Sequence, residues 1–214
     1  MHSFSCSQFL HLVLLLSVIF TSSAKLHRNF YRNSCPKLES IVRSAVEEKY
    51  RQTIVTAAAA TLKLFFHDCF IQGCYASIIL GSSGNNTAEK DHPDNISLAG
   101  DGSDIVIKAK AVVDDVPACK NKVSCADILA MAARDVVALA GGPQYDIELG
   151  RGDGTISSQN SVPDNLPHSR LSFEEAPSYV CLSWFLSETF DCPLGSTYAR
   201  IFTLQQVLKQ DIQL

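Results

Sequence analysis

Hydrophobic residues recur at helical spacing in several segments of the chain. Residues 37–50 carry one apolar stripe with charged residues elsewhere, which predicts an amphipathic helix. Residues 54–70 are apolar almost all round, which predicts a buried helix. Residues 124–140 begin with a Ser-x-x-Asp motif close to a capping box, and the Gly-Gly-Pro that follows ends a helix sharply. A weaker pattern predicts a fourth helix over residues 103–116.

The remaining segments are loop-like or lack a clear period. Residues 81–102 and 150–167 are rich in Gly, Ser, Asn, Asp and Pro, which is typical of loops. No alternating run predicts a pair of strands, so we expect a mostly α-helical fold. Beyond Pro167 the hydrophobic pattern becomes irregular, and it predicts only a weak final helix over residues 198–212.

The N-terminal segment resembles a secretory signal peptide covering residues 1–24. An apolar run over residues 9–20 is followed by Ser22, Ser23 and Ala24, small residues where a signal peptidase cleaves. The alternative is a buried N-terminal helix. The run is short for a bilayer span, so we expect no membrane association.

Charge and cysteine content narrow the class of protein. The net charge is −4 with no basic run, which argues against nucleic acid as a partner. Eight cysteines, of which Cys6 lies in the signal-like segment, favour disulfide bonds in an oxidising compartment. The Cys69–Cys74 spacing fits a disulfide, or else a metal knuckle that lacks a second ligand pair. Asn85 begins a glycosylation sequon, which agrees with secretion.

Candidate acid–base chemistry lies in the second predicted helix. Lys63 and His67 are four residues apart and share a helix face, next to the aromatic ring of Phe66. An imidazole in a dry pocket can transfer protons, and a neighbouring cation can stabilise developing negative charge. The alternative is a histidine of the core, hydrogen-bonded to a carbonyl.

Oxygen-bearing residues cluster just after that helix. Asp68, Gly73, Ser77 and Glu89 offer the carboxylate, carbonyl and hydroxyl oxygens that calcium binds. Asp68 could equally be a charge at the end of the helix.

Five stretches together resemble the plant secretory (class III) haem peroxidases. In chain order they are FYRNSCPKLESIVR, FFHDCFIQGCYASIIL, AEKDHPDN, VSCADILAMAARDVVALAGGP and LGRGDG, and the resemblance runs from about Leu26 to Pro167. It implies the haem-peroxidase fold, a nearly all-helical fold with haem b between a distal and a proximal domain. Residues 25–167 match the distal domain.

The resemblance also implies roles for individual residues. His67 matches the distal histidine, which takes a proton from peroxide and returns it to the leaving oxygen. Asn95 matches the asparagine that hydrogen-bonds the other ring nitrogen, and Phe66 matches the aromatic residue beside the haem. Pro167 matches the proline where aromatic donors bind, and Lys63 occupies the position of a distal arginine.

A calcium site and two disulfides follow from the same resemblance. The implied calcium ligands are Asp68, Ile71, Gly73, Ser77 and Glu89, of which Ile71 and Gly73 act through their carbonyls. The implied disulfides are Cys35–Cys119 and Cys69–Cys74.

Two substitutions depart from the family pattern inside the distal half. Lysine at position 63 replaces the rigid fork of an arginine with a flexible point charge, so we expect weaker positioning of peroxide. Tyr75 replaces a calcium-binding aspartate, so we expect calcium affinity to fall.

Residues 168–214 form a divergent tail without the family pattern. The Leu-Ser-Gly-x-His-Thr motif that supplies the proximal haem ligand is missing, and we expect that the proximal domain is largely absent through truncation or mis-splicing after Pro167. Tyr198 lies near the expected distance for an iron ligand, but no surrounding motif matches. Cys125 lacks its usual partner, and Cys181 or Cys192 could substitute.

The sequence therefore predicts a secreted, monomeric haem peroxidase of the cell wall, apoplast or vacuole. Its substrates are hydrogen peroxide and small phenolic donors. The rival interpretations are a non-catalytic secreted helical fragment that acts as an interaction module, a calcium-binding wall protein, and a zinc hydrolase built on His67, which lacks companion ligands.

Overall fold

A computed structural model describes residues 26–71, 73–98, 100–163 and 165–166 of the chain. The signal-like segment 1–24, Pro167, the tail 168–214 with its weak helix, and the residues Tyr198, Cys181 and Cys192 lie outside the described residues. The predictions made for them stay predictions.

Four α-helices make up the described part, which contains no β-strand. They are α1 (Leu38–Gln52), α2 (Ile54–Ile71), α3 (Asp101–Asp115) and α4 (Cys125–Leu139). Short 3-10 turns occupy Ser77–Ile79, Glu89–Asp91, Ile96–Leu98 and Gln159–Ser161. The mostly α-helical prediction is therefore confirmed, and α3 begins two residues earlier than its pattern indicated.

The helices pack pairwise around one apolar core. In α1, Leu38, Val42 and Val46 are spaced four residues apart and are buried against α3 and α4. The helix α4 is the most enclosed, and Ser124 caps its start by accepting a hydrogen bond from the Asp127 amide (3.1 Å). The left-handed Gly141 (φ 87°) follows its end.

The helix α2 is buried over most of its length but not at its start. Its residues from Ala57 onward contribute to the core, whereas Ile54 is 60% exposed. The first turn was therefore predicted wrongly as buried. It follows α1 after the single residue Thr53, and Thr56 is exposed as well.

Asp127 donates its amide to the cap at Ser124, as the motif predicted, while its carboxylate bonds to distant segments. Its carboxylate accepts hydrogen bonds from the Tyr31 hydroxyl (2.8 Å) and the Gly150 amide (2.7 Å), and it pairs with Arg151 (3.1 Å). The side chain is fully buried and turned toward the core, because it joins α4 to the segments before α1 and after α4.

Two disulfide bonds brace the described residues, as predicted. Cys35–Cys119 joins the segment before α1 to the segment after α3, across 84 residues of sequence. Cys69–Cys74 closes the loop that follows the last turns of α2. Cys125 is half-buried and forms no disulfide with another described residue.

Candidate functional site

The predicted acid–base residue lies on the C-terminal half of α2. His67 is partly buried, and its Nδ1 lies 2.7 Å from Oδ1 of Asn95, in the loop between α2 and α3. The Asn95 side chain is fully buried and donates through Nδ2 to the Glu89 carbonyl (2.8 Å). That bond directs Oδ1 toward the ring, so Nδ1 of His67 carries the proton and Nε2 is left as the basic nitrogen.

The surroundings of His67 favour its neutral form. Burial lowers the pKa of the imidazole below 6.5, and the positive charge of Lys63 acts in the same direction. The hydrogen bond to Asn95 and the charge of Asp94 oppose this shift but do not cancel it. A neutral imidazole with one nitrogen held in place is a proton acceptor near neutral pH.

An aromatic surface adjoins the histidine. Phe66 stacks on Phe70 with ring centroids 4.1 Å apart, and its edge approaches His67 with centroids 6.0 Å apart. Phe66 is only partly buried, whereas Phe70 is buried beneath it. This leaves one aromatic side chain beside His67 with exposed surface for a flat apolar group.

Lys63 lies one turn before His67 on the same side of α2. Its Nζ donates a hydrogen bond to Oγ of Ser97 at 2.7 Å. Ser97 lies two residues after Asn95, so one short segment contacts both Lys63 and His67. Sequence reasoning missed Ser97 because its contact with Lys63 joins residues that lie 34 positions apart in the chain.

The oxygen-bearing residues after α2 do come together in the structure. Both carboxylate oxygens of Asp68 accept backbone amides, from Ala76 (2.8 Å) and Ile78 (3.3 Å). The Ser77 hydroxyl donates to Oε2 of Glu89 (3.1 Å). The Gly73 carbonyl accepts the Tyr75 amide (2.8 Å). These groups therefore hold the loop as an internal hydrogen-bonded network.

Burial disfavours the ionised form of two carboxylates in this network. Burial raises the pKa of Asp68 to about 7, although the amides of Ala76 and Ile78 oppose that shift. Burial also raises the pKa of Glu89, against its hydrogen bond from Ser77. The Oε1 atom of Glu89 is buried and lacks a hydrogen-bond partner among the described residues.

This donor set does not fit a tight calcium site. Calcium affinity rises with the number of charged oxygens, and only Asp68 and Glu89 are acidic here. Tyr75 fills the position of a further carboxylate, and its ring lies so close to Gly73 that an added Cβ would meet it at 2.8 Å. Within the described ranges, no three His, Cys, Asp or Glu side chains form a metal-binding group.

The loop after α4 supports this network, which the sequence did not indicate. The Glu89 amide donates to the Ser157 hydroxyl (3.0 Å), and the Asn86 side chain donates to the Ser157 carbonyl (2.7 Å). The Gly154 amide donates to the Tyr75 carbonyl (2.7 Å). No local pattern predicts these contacts, since the two partners of Ser157 lie 71 and 68 residues earlier in the chain.

Comparisons with known proteins identify the family of this chain. A family model described as Peroxidase matches residues 42–181. Peroxidase 50 of Arabidopsis thaliana is 62% identical over 213 aligned residues, which cover 94% of this chain and 64% of that protein. Peroxidase 73 and Peroxidase 51 of the same plant are 63% and 60% identical, over 69% and 73% of this chain.

The chain spans only part of these relatives' length, namely 64%, 44% and 48% of the three proteins. The family match nevertheless covers the helices and loops that form the site, and the helical fold agrees with it. This chain therefore belongs to the class III peroxidase family of plants.

Proposed function

We propose that this chain carries the distal, acid–base side of a haem peroxidase reaction. In that reaction one hydrogen peroxide oxidises two phenolic donors, which gives two phenoxyl radicals and two waters and so removes the peroxide. The hydrogen-bonded series His67–Asn95–Glu89 is the observation that carries this proposal. It holds one imidazole in a defined tautomer inside a partly buried pocket.

His67 moves the proton in this proposal. Its Nε2 takes a proton from hydrogen peroxide and returns it to the departing oxygen, while Nδ1–H remains bonded to Asn95. Lys63 places a positive charge beside the oxygen atoms as their bond breaks. Because a lysine offers one point charge instead of a fork of donors, we expect slower cleavage than an arginine would give.

Haem fits the distal side of the site. The family implies haem and calcium in general. Phe66 and His67 offer an aromatic edge and a proton acceptor side by side, which suits a flat macrocycle with peroxide on its face. Haem, when bound, supplies the redox-active iron. The described residues account for the distal side alone, and we propose that donors approach at Pro167.

Calcium plays a lesser part in this proposal. The remaining donors of the family's distal calcium site are the side chains of Asp68, Ser77 and Glu89 and the carbonyls of Ile71 and Gly73. We propose that they bind calcium weakly, because Tyr75 supplies a neutral ring in place of a carboxylate.

Reconstitution tests the proposed activity. The full chain is titrated with haemin, its Soret band is recorded, and guaiacol turnover with hydrogen peroxide is measured. We expect a Soret band and turnover, and H67A should keep the band but lose turnover by at least about 100-fold. If haemin gives no Soret band, the non-catalytic alternative is the better one. Turnover in H67A equal to that of the natural chain would show that His67 is not the acid–base residue.

The cellular setting follows from the family and the N-terminal segment. We propose a secreted monomer of the cell wall, apoplast or vacuole, glycosylated at Asn85. Asn85 is exposed in the turn that joins Ser83 to Asn86. Asn95 also begins a glycosylation sequon, Asn95-Ile96-Ser97, but its side chain is fully buried. In the described ranges, no helix has the length and apolar character required to cross a membrane.

A further inference from the structure

One short segment between α2 and α3 contacts two side chains of the site. Asn95 accepts from Nδ1 of His67, and two residues later Ser97 accepts from Nζ of Lys63, each at 2.7 Å. Lys63 and His67 lie one turn apart on α2. The imidazole and the ammonium are thus held by the same segment.

The segment that carries Ser97 is rigidly placed. Its residues Ile96–Leu98 form a 3-10 turn, and the Leu98 amide donates to the Asn95 carbonyl at 2.8 Å. Asn95 before Ser97 is fully buried and Leu98 after it is 2% exposed. Because buried residues anchor the turn on both sides, the Ser97 hydroxyl is a fixed point on an otherwise exposed stretch.

A fixed acceptor matters more for a lysine than for an arginine. The lysine side chain has four rotatable bonds and one point of charge, so an untethered ammonium samples many positions. A cation stabilises developing charge best when it is already in place before the reaction. The Ser97 hydroxyl restricts the ammonium to the side of α2 that carries His67.

We propose that Ser97 is a positioning residue, which holds the Lys63 ammonium beside His67 and thereby supplies the order that an arginine fork provides by its own rigidity. This inference rests on the proposed peroxidase function for its catalytic consequence, but its structural part is independent of haem.

The structural part is tested on the full chain without haem. NMR relaxation of the Lys63 side chain, in protein labelled at lysine, reports the order of its Cε–Nζ bond. We expect S97A to lower that order and S97T, which keeps the hydroxyl, to retain it. S44A is the matched control, because the Ser44 hydroxyl bonds a carbonyl of its own helix on an exposed face. Unchanged order in S97A would overturn the proposal.

The catalytic part is tested on the haemin-loaded chain. The rate of reaction with hydrogen peroxide should fall by about 2- to 10-fold in S97A, as for the loss of one hydrogen bond of ordinary net strength, and should recover in S97T. In a K63R background the S97A change should have little effect. A rate in S97A equal to that of the natural chain, despite a disordered Lys63, would also overturn the proposal. If haemin does not load, the peroxidase proposal fails, whereas the NMR result still decides whether Ser97 positions Lys63.

Discussion

At the scale of single residues, the site depends on which protonation state burial favours. His67 lies on a partly apolar helix face, and its ring is held by an asparagine that cannot take up a proton. A carboxylate in the place of Asn95 would stabilise the imidazolium, whereas the amide orients the ring and leaves it neutral. Burial therefore keeps His67 neutral, and the amide of Asn95 orients the ring without the negative charge that would favour the imidazolium.

The preference of His67 for its neutral form should appear in the pH dependence of the free energy of unfolding. The pKa of His67 is lower in the folded chain than the usual 6.5. As pH falls through 6.5, the unfolded chain binds a proton that the folded chain still excludes. The stability that His67 contributes is therefore present above pH 6.5 and is lost as pH falls through its folded pKa. Urea unfolding between pH 5 and 8 measures this loss.

The control for this prediction is H67Q, which removes the titration and keeps a polar side chain beside Asn95. The free energy of unfolding of H67Q should depend less on pH between 5 and 6.5 than that of the natural chain. Equal slopes in the two proteins would contradict a lowered pKa for His67.

At the scale of elements, the loop after α2 and the crossing of α2 and α3 each depend on a few close contacts. The loop after α2 is held by the Asp68 carboxylate, the Cys69–Cys74 disulfide and the Tyr75 ring. The crossing of α2 and α3 is close because Gly102 faces the backbone of Ala60. In both features a glycine gives room for a close neighbour: Gly73 for the Tyr75 ring in the loop, and Gly102 for the Ala60 backbone at the crossing.

Restoring a carboxylate at position 75 should create calcium affinity. Y75D adds a third acidic side chain next to Asp68 and Glu89 and removes the ring from Gly73, so terbium luminescence and the calcium-dependent rise in Tm should both increase. Y75F, which keeps the ring, is the matched control. Tight terbium binding by the natural chain would contradict the weak-site proposal.

Adding a methyl group at the helix crossing should destabilise the fold. In G102A the new Cβ would lie 2.7 Å from the Ala60 carbonyl oxygen, which belongs to the backbone and must shift. We expect a loss of roughly 1–2 kcal/mol in the free energy of unfolding, which outweighs the gain in helix propensity. G152A is the control, because nothing lies within 4 Å of its Cβ. A more stable G102A would refute the close contact.

At the scale of the whole molecule, long-range links hold the four helices in one arrangement. Cys35–Cys119 closes a loop of 84 residues that contains α1, α2 and α3. Asp127 joins Tyr31, Gly150 and Arg151, which lie at opposite ends of the described chain. The site depends on these links because its two sides are carried by α2 and by the loop before α3.

Removing the two disulfides one at a time should give unequal losses. Loop-closure entropy assigns about 4–5 kcal/mol to the Cys35–Cys119 bond and about 2 kcal/mol to the Cys69–Cys74 bond, whose cysteines are 5 residues apart. Urea unfolding of C35S/C119S and of C69S/C74S measures the two losses. A larger loss in C69S/C74S would show that native contacts in the loop after α2 contribute more to stability than loop-closure entropy does.

The four helices could be predicted from short-range signals in the sequence, namely the helical period of apolar residues and the capping and stop residues. The two disulfide pairs and the choice of His67 as the base candidate came instead from the resemblance of several motifs to a known family, because spacing alone left other interpretations open. Tertiary structure alone decided that Ser97 holds Lys63, that Asp127 joins distant segments and that Gly102 meets Ala60. A side chain's partner 34 or 96 residues away depends on how the helices pack, and no local pattern encodes that geometry.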